Sequence, residues 1–536
     1  MLFIALITFL GCGSGDGGAT SSSSTDSKYA IEYQGLHFYT QGIPLNSYSL
    51  KPLTQREFDN LTTEQKNRVS DKLLATLFFG MTKQELSQHF EAQDFLTSIQ
   101  ADLEKNLINR DALESYIRNE DYFSVSTSNE QEAVTILTRF YAMDKLDKYF
   151  FTNWVAYILT QTIMFSPSYE LESSHAPNIE RVYNRLVTLL DDDASMAYIT
   201  YAHMMSDDNW RRFRSPEDNG REMLEIYTLD QEDSHVPIAA KALQNWSLNR
   251  DNDTLVVGLN ENTTPLQLFN TTIYNGEDFY RELAKSTAFQ NTAVTRLVSF
   301  FFTDATQAKQ ASITATILKS NPKTWQDILK QIVFSKEYLL DTTRAKSAEE
   351  LFFSLAKKMN FQLRNNTMHY YKRGLENMNQ ASMKYKLGKL TRVPLDTLSF
   401  AFFHKYIREE VLLRHSNPEK ATDYTAWDRQ GWSDSFLENE NFTYDYTDEV
   451  GSVTSLTNYL FVSMIHREAN SDELEMFINH FTYISDKDAT RHLYSYFDLF
   501  SAQDSRERNK RNVVAVVFDY ISRLDELYTF KGVNYE

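Results

Sequence analysis

Residues 69–86 read Val-Ser-Asp-Lys-Leu-Leu-Ala-Thr-Leu-Phe-Phe-Gly-Met-Thr-Lys-Gln-Glu-Leu. Val69, Leu73, Leu74, Leu77 and Phe78 recur at the three- and four-residue spacing of one helix face. Gly80 is expected to end that helix, because glycine enters the left-handed conformation of a C-cap without steric cost. Thr82 and Glu85 then stand at the two ends of a capping box, each side chain placed to satisfy the other's backbone N–H. The same start signals recur along the chain. Ser215-Pro216-Glu217-Asp218 offers an N-cap, a proline at the first helical position and acids in the first turn. Thr264-Pro265-Leu266-Gln267 and Asn321-Pro322 are read as further helix starts, and Ser347-Ala348-Glu349-Glu350 as another capping box. Ile328, Ile332 and Val333 keep the helical period after one of these starts. Alternation of the strand type is confined to short pieces, best seen in Leu255-Val256-Val257-Gly258, which is expected to form one arm of a hairpin.

Composition agrees with the local reading. Of 16 glycines in 536 residues, five lie in the first 18, and only 10 prolines are present, so the body is poor in residues that break helices or build tight turns. An all-α fold is expected, large enough for two or more packed subregions. Loops are expected at 165–177, 249–264 and 415–452. The aromatic share of 14% is read as core. A formal charge of −19 repels phosphate backbones, which excludes nucleic acid as an expected partner.

The first ten residues, Met-Leu-Phe-Ile-Ala-Leu-Ile-Thr-Phe-Leu, are too short an apolar run to span a bilayer and have the length of a signal-peptide core. Phe9-Leu10-Gly11-Cys12 resembles a bacterial lipobox, in which the cysteine becomes the lipidated first residue of the mature chain. No Lys or Arg precedes the run, and Phe9 stands where Leu is commoner. Cys12 is the sole cysteine, and a Gly/Ser-rich stretch of the kind that forms a flexible tether follows it. The expected location is the bacterial cell envelope, on an outer membrane, with the membrane reached through the lipid anchor. A body without thiols has no cysteine nucleophile and no thiolate metal site.

Four segments, in order, resemble the exported bacterial proteins grouped as domain of unknown function 1800. They are Leu74–Leu86, Ser215–Leu229, Ala239–Trp246 and Ile328–Met359, with Ser215–Leu229 (SPEDNGREMLEIYTL) similar to the family's hallmark segment. Glu217, Arg221, Glu222, Glu225, Thr228 and Leu229 match the hallmark, whereas Pro216, Asp218 and Asn219 depart from it. Relatives commonly carry a Trp-His-Asn-His-Phe stretch before the hallmark; this chain has Phe150-Phe151-Thr152-Asn153-Trp154, without either histidine. The resemblance implies a protein partner at the cell surface or in the periplasm and supplies no settled activity. With it, the chain divides into a signal peptide (1–11), a tether and entry segment (12–60), an N-terminal helical region (61–262) with the hallmark helix at 216–229, a central helical region (263–415), a loop (416–452) and a C-terminal helical region (453–536).

Chemistry is sparse. On a helix, Glu217, Arg221 and Glu225 form one stripe with Glu222 beside it. This pattern reads either as an ion-pair ladder or as a functional cluster in which a carboxylate binds a cation or acts as a base. None of the eleven histidines has another within four residues, so a helical zinc pair of the HExxH type is absent. His203 is read as a core histidine. Asp191-Asp192-Asp193, Asp207-Asp208 and the acids from Glu438 to Glu449 are read as solvated loop acids in preference to calcium ligands. Trp427 and Trp432 are read as pinning a loop to the core, or else as an aromatic platform. The expectation is a protein that acts by binding a protein or polymer partner and needs no cofactor. The alternative is a carboxylate- or metal-dependent hydrolase centred on Glu217 and Glu222.

Overall fold

The computed structural model describes residues 32–33, 36–37, 50–119, 129–164, 179–228, 233–249, 251–252, 254–258, 264–358, 444–445, 447–484, 513–514 and 516–533. Helix dominates among them, and every sheet found there is a two-stranded antiparallel pair. The fold is therefore all-α with short β arms.

The helix Lys148–Thr162 forms the axis, with every residue from Tyr149 to Thr162 buried. A helix apolar on all sides must be surrounded, and this one packs against Ile179–Asp191, Thr287–Phe301 and Trp325–Val333. Its Trp154 Nε1 donates to the Thr76 carbonyl at 2.7 Å, which ties it to the end of helix α1 (Thr63–Thr76). The buried apolar residues join into one contiguous core that runs from Leu50 to Val533.

Helix starts follow the capping signals at most places. Thr82 and Glu85 close their box around the helix Lys83–Ala92, and Ser215 Oγ accepts from the Asp218 N–H at 3.1 Å to open α2 (Pro216–Thr228). Three readings are corrected. Thr264–Gln267 opens no helix; Leu266–Leu268 is a strand paired with Thr271–Ile273. Phe269 and Asn270, both at positive φ, make the two-residue turn that matches strand twist. Leu266, Leu268 and Ile273 are buried while Gln267 is exposed, so period two wins over the proline signal. Asn321, at φ 54°, closes the helix Gln307–Lys319, and the next helix starts at Trp325 with Thr324 and Asp327 as its box. Finally, α1 ends at Thr76 and the left-handed residue is Phe78, at φ 59°. Gly80 serves a close approach instead: a Cβ there would lie 2.3 Å from the Ser354 carbonyl oxygen.

The arm anticipated at 255–258 is present as Thr254–Val256 pairing with Ser247–Asn249. The strand β1 (Arg344–Ala345) leads into helix α3 (Ala348–Lys358), which packs on α1. Helix α4 (Glu449–Ile465) is followed, at the end of the chain, by β2 (Thr529–Phe530), whose partner is β1.

Candidate functional site

On α2 the apolar face read from the sequence is buried: Met223, Leu224, Ile226 and Tyr227 are all inside. The polar face departs from the expected ladder. Arg221 pairs with Asp218, at 2.6 Å, and with neither Glu217 nor Glu225. Helical side chains lean toward the N-terminus, and Asp218 lies on the turn that Arg221 covers. The pair is open to solvent, with Arg221 53% exposed. Glu217 is exposed, Glu225 is half-buried, and Glu222 falls on the buried side at 6% exposure. The four residues therefore do not converge on one site.

Two acid clusters are structural. Asp191 takes both Arg110 Nη groups, at 2.7 and 3.0 Å, and Asp193 sits 3.3 Å from Lys148 Nζ. Asp208 is fully buried and was misread as a solvated loop acid: it accepts from Arg181 Nε at 2.9 Å and Arg185 Nη2 at 2.5 Å. Burial pushes the Asp208 carboxyl up, but Arg185 and Arg181 outweigh it and hold the group below its ordinary range. His203 is buried, as expected of a core histidine. Among the described residues no three His, Cys, Asp or Glu side chains gather as metal ligands. Cys12, Trp427 and Trp432 lie outside the described residues.

A different group of side chains does converge, at the seam where the end of the chain closes on α1. The buried face of α1 presents Asp71 and Lys72 in mid-helix. Lys346 Nζ lies 2.8 Å from Asp71 Oδ2, Lys358 Nζ bonds Oδ1, and His466 Nε2 is 3.1 Å from Oδ2. Beside them Arg344, fully buried, forks onto Glu350 at 2.7 and 2.9 Å and also reaches the Tyr338 hydroxyl. Glu350 has two functions, since its Oε2 also accepts from the Ser347 N–H at 2.8 Å as the return half of the capping box. Lys72 donates to the Thr342 carbonyl, and the Tyr157 hydroxyl donates to Glu349 Oε1 at 2.8 Å. β2 covers this group: Phe530 lies 4.8 Å from the Arg344 guanidinium carbon and 4.9 Å from Lys346 Nζ.

The electrostatics follow from burial and neighbours. Burial pushes the Asp71 carboxyl up, but Lys346, Lys358 and His466 together hold it well below the carboxylate range. Burial also pushes Lys72 and Lys358 below the usual lysine value. The His466 imidazole is lowered to about 4, by burial first and then by Lys358 and Lys346, against the pull of Asp71. At neutral pH it is uncharged. Its Nε2, though 3.1 Å from Asp71 Oδ2, makes no well-aligned hydrogen bond there.

The network forms one wall of a small open cleft, where Asp71 and His466 meet Arg68, Glu526, Phe530 and Lys531. Arg68 pairs with Glu64. Arg467, also at the cleft, is held by Glu473 at 2.7 and 2.9 Å and by Glu526 at 3.1 Å. Lys531 forms no ion pair among the described residues. The cleft thus combines a cation with no ion pair among the described residues, a neutral imidazole and an aromatic wall. An imidazole of such low proton affinity is a weak base, so the arrangement suits hydrogen bonding better than proton abstraction.

No family model, curated protein or solved structure matches this chain.

Sequence reasoning missed this site because its partners are far apart in the chain: Asp71 and Lys346 are separated by 275 residues, Asp71 and Lys358 by 287. One signal was present. Asp71 and Lys72 stand between Val69 and Leu73 of the apolar helix face, and charges that become buried need partners.

Proposed function

We propose that this chain is a lipid-anchored protein of the bacterial cell envelope, a divergent member of the domain of unknown function 1800 group, that acts by binding a protein partner. The partner docks at the cleft beside Asp71 and His466 and contributes a carboxylate-bearing loop or chain end. The observation that carries this reading is Lys531, which forms no ion pair among the described residues, in a cleft where Arg68, Arg467 and Asp71 are each engaged. On a protein with a formal charge of −19, a cationic cleft is a local exception that steers an acidic group to one place. A base held in place by an ion network also loses little entropy on binding. Support for the anchor comes from Gly11-Cys12 and the glycine-serine tether.

Photo-crosslinking in intact cells tests this. A photoreactive residue at position 68, which lines the cleft and leaves Lys531 in place, is expected to yield one discrete adduct in the membrane fraction. The same probe at exposed Glu217, on α2, is expected to yield none. Lys531→Glu should abolish the adduct at 68 with little change in melting temperature. Cys12→Ala should move the protein itself into the soluble fraction. No adduct at 68, or one indifferent to Lys531→Glu, contradicts the docking site; unchanged fractionation contradicts the anchor.

A further inference from the structure

We propose that the outer edge of β2 takes up an extended segment of the partner as an antiparallel third strand, with an acidic side chain of that segment opposite Lys531. This rests on the reading of the cleft as a docking site for a partner's carboxylate, and adds the form in which the partner binds.

β1 and β2 pair with Arg344 opposite Phe530 and Ala345 opposite Thr529. Lys346 N–H donates to the Tyr528 carbonyl at 2.8 Å, and Gly532 N–H donates to Thr343 Oγ1 at 3.0 Å. In an antiparallel ladder, facing residues alternate between pairs that exchange hydrogen bonds and pairs that do not. Tyr528, Phe530 and Gly532 therefore turn their main-chain groups toward the β1 side. Thr529 and Lys531, between them, turn theirs away. Among the described residues, neither Thr529 nor Lys531 has a main-chain hydrogen bond on that outer side, and both residues line the cleft. The side chains alternate as well. Phe530 is buried against Arg344 and Lys346, whereas Thr529 and Lys531 are half-buried on the opposite face.

This edge is preformed. Leu527, Tyr528 and Phe530 are buried, the Tyr528 hydroxyl donates to the Ser522 carbonyl at 2.6 Å, and Val533 N–H donates to the Leu340 carbonyl at 2.7 Å. A strand added here has only itself to order. Open N–H and C=O groups on an edge supply affinity without regard to sequence, and the side chains across from them supply the selection. Lys531 is the selector. A lysine on an edge turns away apolar strands that would pair indiscriminately, and it gains from a carboxylate directly across on the same face. Arg68, on the α1 wall, adds a second cation, while the cleft acids Asp71 and Glu526 are engaged by Lys346 and Arg467. A second copy of this chain is a poor occupant, because each copy carries a formal charge of −19 and presents the same cationic edge.

The test uses the full chain and the acetylated, amidated peptide Thr-Val-Glu-Val-Thr, with hydrogen–deuterium exchange resolved to single amides. The peptide should slow exchange at Thr529 and Lys531 and leave Tyr528 and Phe530 unchanged. N-methylation at the glutamate and the last threonine, whose N–H groups would donate to the Lys531 and Thr529 carbonyls, should weaken binding about tenfold or more. Lys531→Glu should reverse the preference toward the same peptide with lysine at its centre. Equal binding of the plain and N-methylated peptides overturns strand addition and leaves carboxylate docking standing. No slowing at 529 and 531 at saturating peptide also overturns it, and the adduct at position 68 in cells then reports separately on the docking site. Protection of 529 and 531 that grows with protein concentration and no peptide assigns the edge to a second copy, and overturns the proposal too.

Discussion

The α2 helix and the Asp71 seam are both built from Arg, Lys, Asp and Glu, and they show how differently the same chemistry weighs by position. On α2, Arg221 and Asp218 meet at 2.6 Å with both side chains in water. Such a pair exchanges hydration for contact at little net gain. At the seam, Arg344 and Glu350 meet at nearly the same distance, 2.7 Å, with neither side chain exposed. There the attraction is strong but so is the desolvation cost. The net worth of the pair is therefore small compared with the loss when one member is removed and the other stays charged inside. The lesson is that motif density in the sequence did not mark the place where charge matters.

Substitutions can break or sharpen this contrast. The largest effect is expected for Glu350→Gln. Glutamine can still serve the capping box with Ser347, so the change isolates the charge and leaves Arg344 buried without its counterion. A loss of about 3–5 kcal/mol in urea unfolding is expected. Gly80→Ala ranks next. Its Cβ would meet a backbone oxygen of α3 at 2.3 Å, and the helix must shift away from α1 to admit it. Overpacking of this kind costs about 1–3 kcal/mol, read as a lower unfolding midpoint, and it should also weaken the Asp71–Lys358 contact that spans the same two helices. The smallest effect is expected for Arg221→Ala, under about 1 kcal/mol. A loss there as large as that of Glu350→Gln would erase the contrast.

How far the sequence was legible follows the range of the interactions. The capping pairs Thr82/Glu85 and Ser347/Glu350 act within four residues, so the helices they open were read correctly. The same holds for the buried face of α2 and the arm at 254–256. Leu266–Leu268 was misread because proline and threonine signal helix starts and turns alike, and the two-residue turn at Phe269-Asn270 lacks the glycine that usually marks it. Asp208 was misread because its neighbour Asp207 suggested a solvated run, while Arg181 and Arg185 lie on a helix well before it. At the seam, Glu350 is legible as a cap; the contact of Lys358 with Asp71 on α1 is not, because only the tertiary fold brings those segments together. The hallmark acids of α2 lie on different faces of the helix, Glu217 exposed, Glu225 half-buried and Glu222 buried.

The most direct test of the account is a double-mutant cycle across the seam, using Asp71→Asn, Lys346→Met and the two combined, with unfolding free energies from urea titration. Both residues are buried and 2.8 Å apart, and they join α1 to the segment that holds the end of the chain. A coupling energy above about 1 kcal/mol is predicted, within the range found for contacting pairs in one network. Additivity within about 0.3–0.5 kcal/mol would contradict the claim that this network closes the seam.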